Sequence, residues 1–76
     1  MKIQDIIAKP KINVLRKAKG ITQKELANKT GIDQSNISKF DKRSSDMYDI
    51  RHLIALMDAM DCDLYDLFDI KEKKSD

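Results

Sequence analysis

The sequence predicts an all-α fold, a compact bundle of five helices, and three observations lead to it. A chain of 76 residues holds one domain and one core. Two glycines and one proline are too few for the turns of a many-stranded fold. Apolar residues make up 41% of the chain but aromatics only 5%, so the core must come from Ile, Leu, Val, Met and Ala. On this reading residues 1–9 are an N-terminal extension, 10–70 the helical domain and 71–76 a charged C-terminal tail.

The extension, MKIQDIIAK, places Ile3, Ile6 and Ile7 on one side of a short helix, and Pro10 stops that helix from running on. It is open to three forms: a helical turn packed on the core, a strand paired with another chain, or a loose arm. An ordered segment on the body or on a partner subunit is expected. Pro10 suits the first turn of the next helix, KINVLRKAK, whose Ile12 and Leu15 face inward with Val14 and Ala18 beside them. Gly20 ends that helix, and Ile21 is placed to staple the start of the next.

The following stretch, TQKELANKTGIDQSNISKF, organises the rest. Thr22 is a natural N-cap, and Glu25 three residues later completes a capping box. Leu26 and Ala27 supply an inward face. Gly31 can take the left-handed conformation that ends a helix and turns the chain. Ile32 can plug the corner, and Asp33 is placed to cap a second short helix. That helix has one inward stripe, Ile37 and Phe40, which leaves Gln34, Ser35, Asn36, Ser38 and Lys39 for the outside. Two short helices hinged at a glycine, the second with a polar outer face, form a helix-turn-helix.

After Phe40 the run DKRSSDMYD reads as a loop. A fourth helix, about 49–60, is capped by Asp49 or Asp46 and carries Ile50, Leu53, Ile54, Leu56, Met57 and Met60 on a broad apolar face, with Ala55 and Ala59 permitting close approach. Asp61 and Cys62 make a tight connection. Asp63 then caps a last short helix whose Leu64, Leu67 and Phe68 point to the core. The terminal KEKKSD is expected to fray.

Charge divides along the chain. Residues 1–43 hold 11 Lys and Arg against 4 Asp and Glu, while residues 44–76 hold 4 against 9. The net charge of +2 therefore conceals a basic half containing the helix-turn-helix and an acidic half behind it. The basic side suits a polyanion, and the acidic side would repel one.

Arg16, Thr22-Gln23-Lys24-Glu25-Leu26-Ala27, Gly31-Ile32, Ser35, Ile37-Ser38-Lys39-Phe40-Asp41 and the trailing CDLYDLF together resemble the Cro/phage-repressor (XRE-type) helix-turn-helix family over residues 11–68. The resemblance implies a lambda-repressor-like DNA-binding domain whose third helix enters the major groove of double-stranded DNA. Gln34, Ser35 and Lys39 then match base-contacting positions, with Lys39 equally suited to a phosphate. Gln23, Asn36 and Lys42 match backbone contacts, Arg43 adds a further one, and Arg16 with Asp41 matches a buried structural ion pair. Chemistry supports these roles: a glutamine amide donates and accepts at once, as the adenine edge requires, and the first turn of a helix favours an anion. The run Asp41-Lys42-Arg43 departs from the family in lacking the glycine that often follows the acid, so the exit from the third helix is expected to be less sharp.

The implied function is a repressor-like, sequence-specific transcriptional regulator of prokaryotic or phage type, cytoplasmic and acting on an operator. A homodimer is expected on DNA, with its surface around Tyr65, Phe68 and Ile70, aided by Ile3 and Ile7. The reading from a different class is a protein-interaction module, such as an antitoxin or anti-repressor, on the same fold. Other chemistry finds no support. His52 is the only histidine and Cys62 the only cysteine, so no zinc set, disulfide or nucleophile–base pair is spelled out, and no cofactor, small-molecule ligand or enzymatic activity is expected. Asp58, Asp61, Asp63, Asp66 and Asp69 lack the glycine and closing glutamate of a calcium loop. No apolar run approaches membrane-spanning length, and no membrane partner is expected.

Overall fold

Capping chemistry and left-handed turns divide the chain into its helices. A computed structural model of the protein describes residues 1–42 and 48–73. Five helices follow one another: α1 (Ile12–Ala18), α2 (Gln23–Thr30), α3 (Gln34–Asp41), α4 (Ile50–Met60) and α5 (Leu64–Leu67). They are joined by a small antiparallel sheet of β1 (Ile6–Pro10) and β2 (Phe68–Glu72), preceded by one 3-10 turn at Ile3–Asp5.

The sheet corrects the all-α expectation: the fold is helical in its majority but not throughout. The β-branched Ile6 and Ile7 also suit an extended segment, and the backbone of residues 6–10 finds its partner 58 to 66 positions away, with Ile6 opposite Glu72 and Pro10 opposite Phe68. No local pattern announces such a pairing. Pro10 consequently ends a strand rather than opening α1. The Lys11 N–H donates to Leu67 O at 2.8 Å, which extends the ladder by one step and delays the helix to Ile12. Lys71 and Glu72, expected in the frayed tail, belong to β2.

The core is Ile12, Leu26, Ile32, Ile37, Phe40, Leu56, Met60, Leu67 and Phe68, so every helix and β2 contribute to it. Burying one such side chain contributes about 1.5–3 kcal/mol, which makes these few residues decisive in so small a domain. Tyr48 bridges two of them, its ring 5.2 Å from Phe40 and 5.1 Å from Phe68. His52 meets Phe40 edge-on at 5.9 Å, a half-buried packing role.

Turns follow the predicted chemistry at most points. Gly20 takes φ +69°, and the bonds from Gly20 N–H to Lys17 O and from Ile21 N–H to Arg16 O close α1. At the end of α4 the same turn is made by Asp61 at φ 49°, a position aspartate tolerates better than most residues. Asp49 caps α4, accepting from Arg51 N–H at 2.8 Å; the alternative, Asp46, lies outside the described residues. Asp63 and Asp66 form a capping box on α5.

Three expectations about inward faces need correction. Ile50 and Ile54 are 65% and 56% exposed, because the buried stripe of α4 is centred on Leu56 and Met60. Ile54, two residues from Leu56, therefore stands almost on the other side of the helix. Val14 and Ala18, expected to flank the inward face of α1, are exposed, and Leu64 is 39% exposed while Leu67 and Phe68 turn in.

Candidate nucleic-acid interface

The candidate interface begins at the N-terminus of α2. Glu25 N–H donates to Thr22 Oγ1 at 3.1 Å, and Thr22 N–H donates to Glu25 Oε1 at 3.4 Å, so the capping box is complete. At the other end Gly31 adopts φ +75° and returns its N–H to Ala27 O at 2.9 Å. Any side chain there would be strained in this left-handed backbone. Thr30 adds a second fastening: its hydroxyl donates to Leu26 O at 2.7 Å and accepts from Ile32 N–H at 3.1 Å. The turn is held from both sides, and Ile32, buried, fills the angle beneath it.

Asp33 occupies the N-cap position of α3, but its side chain makes no capping bond. Its carbonyl instead accepts from Asn36 and Ile37 N–H groups, at 2.9 and 3.1 Å. The first turn of α3 thus keeps its backbone donors unsatisfied by a side-chain cap, on the face that Gln34 and Ser35 share.

The two faces of α3 differ sharply. Ile37 is fully buried and Phe40 nearly so, whereas Gln34, Ser35 and Lys39 are exposed. Ser35 and Lys39, one turn apart, lie opposite Ile37 on the helix. Asn36 and Ser38 sit half-buried at the flanks, and Lys42, at the C-cap, is exposed. Arg43 lies outside the described residues. Lys17, Lys19, Lys24 and Lys29 are also exposed, on α1, α2 and the turn between them.

One cluster fixes the angle between these helices. Arg16 approaches Asp41 side by side, Nη2 to Oδ2 at 2.6 Å and Nε to Oδ1 at 3.4 Å, with each side chain only 9% exposed. Arg16 Nη1 donates to Ile21 O at 2.7 Å. Gln23 completes the cluster: its Nε2 donates to Asp41 Oδ2 at 2.7 Å. The first residue of α2, the middle of α1 and the last residue of α3 therefore meet at one carboxylate. The sequence placed Gln23 on a phosphate and did not foresee this bond. Its amide nitrogen has a second N–H, so it can serve Asp41 and an anion together. A charge pair this well hydrogen-bonded is costly to break, because either partner alone would be a buried ion.

The residues expected at a subunit contact separate. Tyr65 is 70% exposed and Ile70 half-buried, whereas Phe68, 8% exposed, is committed to the monomer's own core. Cys62 is half-buried, and burial pushes its thiol above the usual range. Among the described residues no group of histidine, cysteine and acidic side chains could hold a metal ion, and no helix is long and apolar enough to cross a membrane.

A glycine-turned helix pair, braced from beneath and presenting a polar ridge, defines a helix-turn-helix DNA-binding domain. Comparison with protein families agrees and narrows the class. The family model of the Cro/C1-type HTH DNA-binding domain matches residues 11–73, and the chain belongs to that family. Comparisons with curated proteins and with solved structures return no match.

Proposed function

We propose that the protein is a repressor-like transcriptional regulator that reads a specific operator with α3 in the major groove. The observation that carries this is the division of α3: Ile37 and Phe40 anchor it, leaving Gln34, Ser35 and Lys39 exposed along its outer side. Gln34 and Ser35 would meet base edges, and Lys39 a guanine edge or a phosphate. Gln23, Asn36 and Lys42 would contact backbone phosphates, with Arg43 as a further contact. A single short helix reads few base pairs, so the operator would be two-fold and the protein would act as a homodimer on half-sites ~34 Å apart.

Selection of genomic fragments by the purified protein, followed by binding at graded salt, tests this reading. One enriched sequence with two-fold symmetry is expected, with affinity that falls steeply as salt rises. Gln34→Ala should relax preference at one base by about 1–3 kcal/mol. No enrichment, or an unchanged base preference in that variant, would remove the case for α3 as the reader. Salt-insensitive capture of one protein without DNA would support the antitoxin or anti-repressor alternative instead.

A further inference from the structure

The apolar side chains of α4 fall into two stripes, and the monomer uses only one of them. Leu53, Leu56 and Met60 form the first, buried in the core or packed against it. About a quarter turn round the helix, Ile50, Ile54 and Met57 form the second. Ile50 and Ile54 stand 65% and 56% exposed, and Met57 is half-buried at the boundary between the stripes. A single exposed isoleucine is ordinary on a protein surface. Here two stand one turn apart with a methionine next in line, so they are neighbours along one ridge.

The spacing is that of a packing seam. Steps of four, three and four residues lead from Ile50 through Ile54 and Met57 to Asp61, the alternation by which one helix lies along another. The two isoleucines are stiff in a helix and lose little freedom on contact, whereas the flexible methionine adapts to what it meets.

Charge decides what can lie there. Asp58 is exposed one turn beyond Ile54, and the exposed Asp61 closes the seam at the C-terminal end of α4, where the helix dipole is also negative. Arg51, the one arginine or lysine of α4, is paired to Asp49 at 3.0 Å, which offsets its charge. A second copy of the ridge fits poorly. Laid antiparallel about Ile54, it sets Asp58 of each copy against Ile50 of the other, and laid parallel it sets carboxylate against carboxylate. A polyanion would be repelled.

We propose that this ridge is a docking site for an amphipathic helix of another protein, one whose aliphatic stripe is flanked by lysine or arginine. The aliphatic stripe packs along Ile50, Ile54 and Met57, and the cations meet Asp58 and Asp61. Three apolar residues make a small contact, so the complex is weak and exchanges rapidly. The ridge lies on a different helix from the polar face of α3, and the proposal stands apart from the operator reading and is tested without DNA.

A synthetic peptide of leucine and lysine in helical register, about 14 residues or four turns long, is the probe, with its leucine–glutamate counterpart as the control. Titrated into the isotopically labelled full chain, the lysine peptide should shift the NMR signals of Ile50, Ile54 and Met57 and saturate below about 1 mM. The glutamate peptide should not. Ile54→Lys, at an exposed position, should weaken binding about tenfold or more, and Asp58→Lys should weaken it severalfold, more at low salt than at high. Asp69→Lys makes the same change of charge on β2, outside the seam, and should leave the affinity within about twofold. Amide spectra confirm that each variant is folded. No shift on α4, equal binding of the two peptides, or an Ile54→Lys variant that binds as the unaltered chain does would overturn the proposal. So would equal losses from Asp58→Lys and Asp69→Lys, since net charge alone would then attract the peptide. A concentration-dependent dimer that Ile54→Lys abolishes would give the ridge to a second copy and overturn it as well.

Discussion

The front of the molecule, α1 to α3, and its rear, the β-ribbon with α5, are held by different physics. At the front side chains do the joining: Ile12, Leu26, Ile32, Ile37 and Phe40 pack together, and Asp41 gathers Arg16 and Gln23. At the rear the two strands are joined by backbone bonds along a five-residue register, with Leu67 of α5 and Phe68 buried and Ile70 partly so. A side-chain joint can be broken at one residue and localises its energy there. A backbone ladder shares it over many positions. The polar ridge of α3, the proposed reading surface, rides on the first kind of joint, which holds it in one geometry.

The largest test strikes that joint. Asp41→Ala leaves the Arg16 guanidinium buried without its carboxylate and releases the Gln23 amide. We expect a loss of about 3–5 kcal/mol in urea unfolding at neutral pH. A loss below 1 kcal/mol would mean that the pair is solvated and that packing alone holds the front. At the rear, Ile7→Pro removes an inward ladder donor and should cost about 2 kcal/mol. Amide exchange should then quicken in β1 and β2 while α2 and α3 keep their protection. Loss of protection throughout would show that the two regions unfold as one.

The same difference explains what could be read from the sequence. The α2–turn–α3 unit was legible because each step has a local signature: Thr22 with Glu25, a glycine at position 31, and an apolar stripe at 37 and 40. Burial of Ile37 and Phe40 followed from spacing alone. The ribbon was not legible, since Ile6 and Glu72 carry no local mark of each other and the spacing of Ile3, Ile6 and Ile7 is that of a helix. The third bond at Asp41 was missed for a related reason. Gln23 and Asp41 are 18 residues apart, and only the crossing of α2 and α3 brings them together. On α4 periodicity shows an apolar face but not its centre: it turns Ile50 and Ile54 inward, whereas the core takes Leu56 and Met60, with Leu53 and Met57 packed against them.

A smaller contrast lies within the front itself. Thr22 and Asp33 hold equivalent cap positions, yet only Thr22 makes the bond. Thr22→Ala should cost about 1 kcal/mol, and Asp33→Ala should stay within about 0.5 kcal/mol. If the two losses prove equal, the cap geometry of α3 differs from that described. On the proposed function, Asp33→Ala should bind DNA more strongly, since it removes a carboxylate next to the first turn of α3, and this is measurable in the same preparations.

The smallest effect separates the two arginine–aspartate pairs. Arg51 reaches Asp49 at 3.0 Å, but its side chain is 85% exposed, against 9% for Arg16. Hydrogen bonds from the Arg51 side chain, and then from its backbone N–H, hold the Asp49 carboxyl below its ordinary value of 3.8. A carboxylate with a lowered folded-state pKa adds stability above the unfolded value, and that contribution fades as pH falls below it. The dependence on Asp49 should therefore appear only in the acid limb of the unfolding profile, below about pH 4, and Asp49→Asn should flatten it there. Raising salt should weaken the contribution of this exposed pair and leave that of Arg16 and Asp41 nearly untouched, since mobile ions screen the first and cannot surround the second. Carboxyl carbon shifts followed by NMR would check both statements: an Asp49 titration at or above the ordinary value, or one indifferent to salt, would place the two pairs in the same physical class.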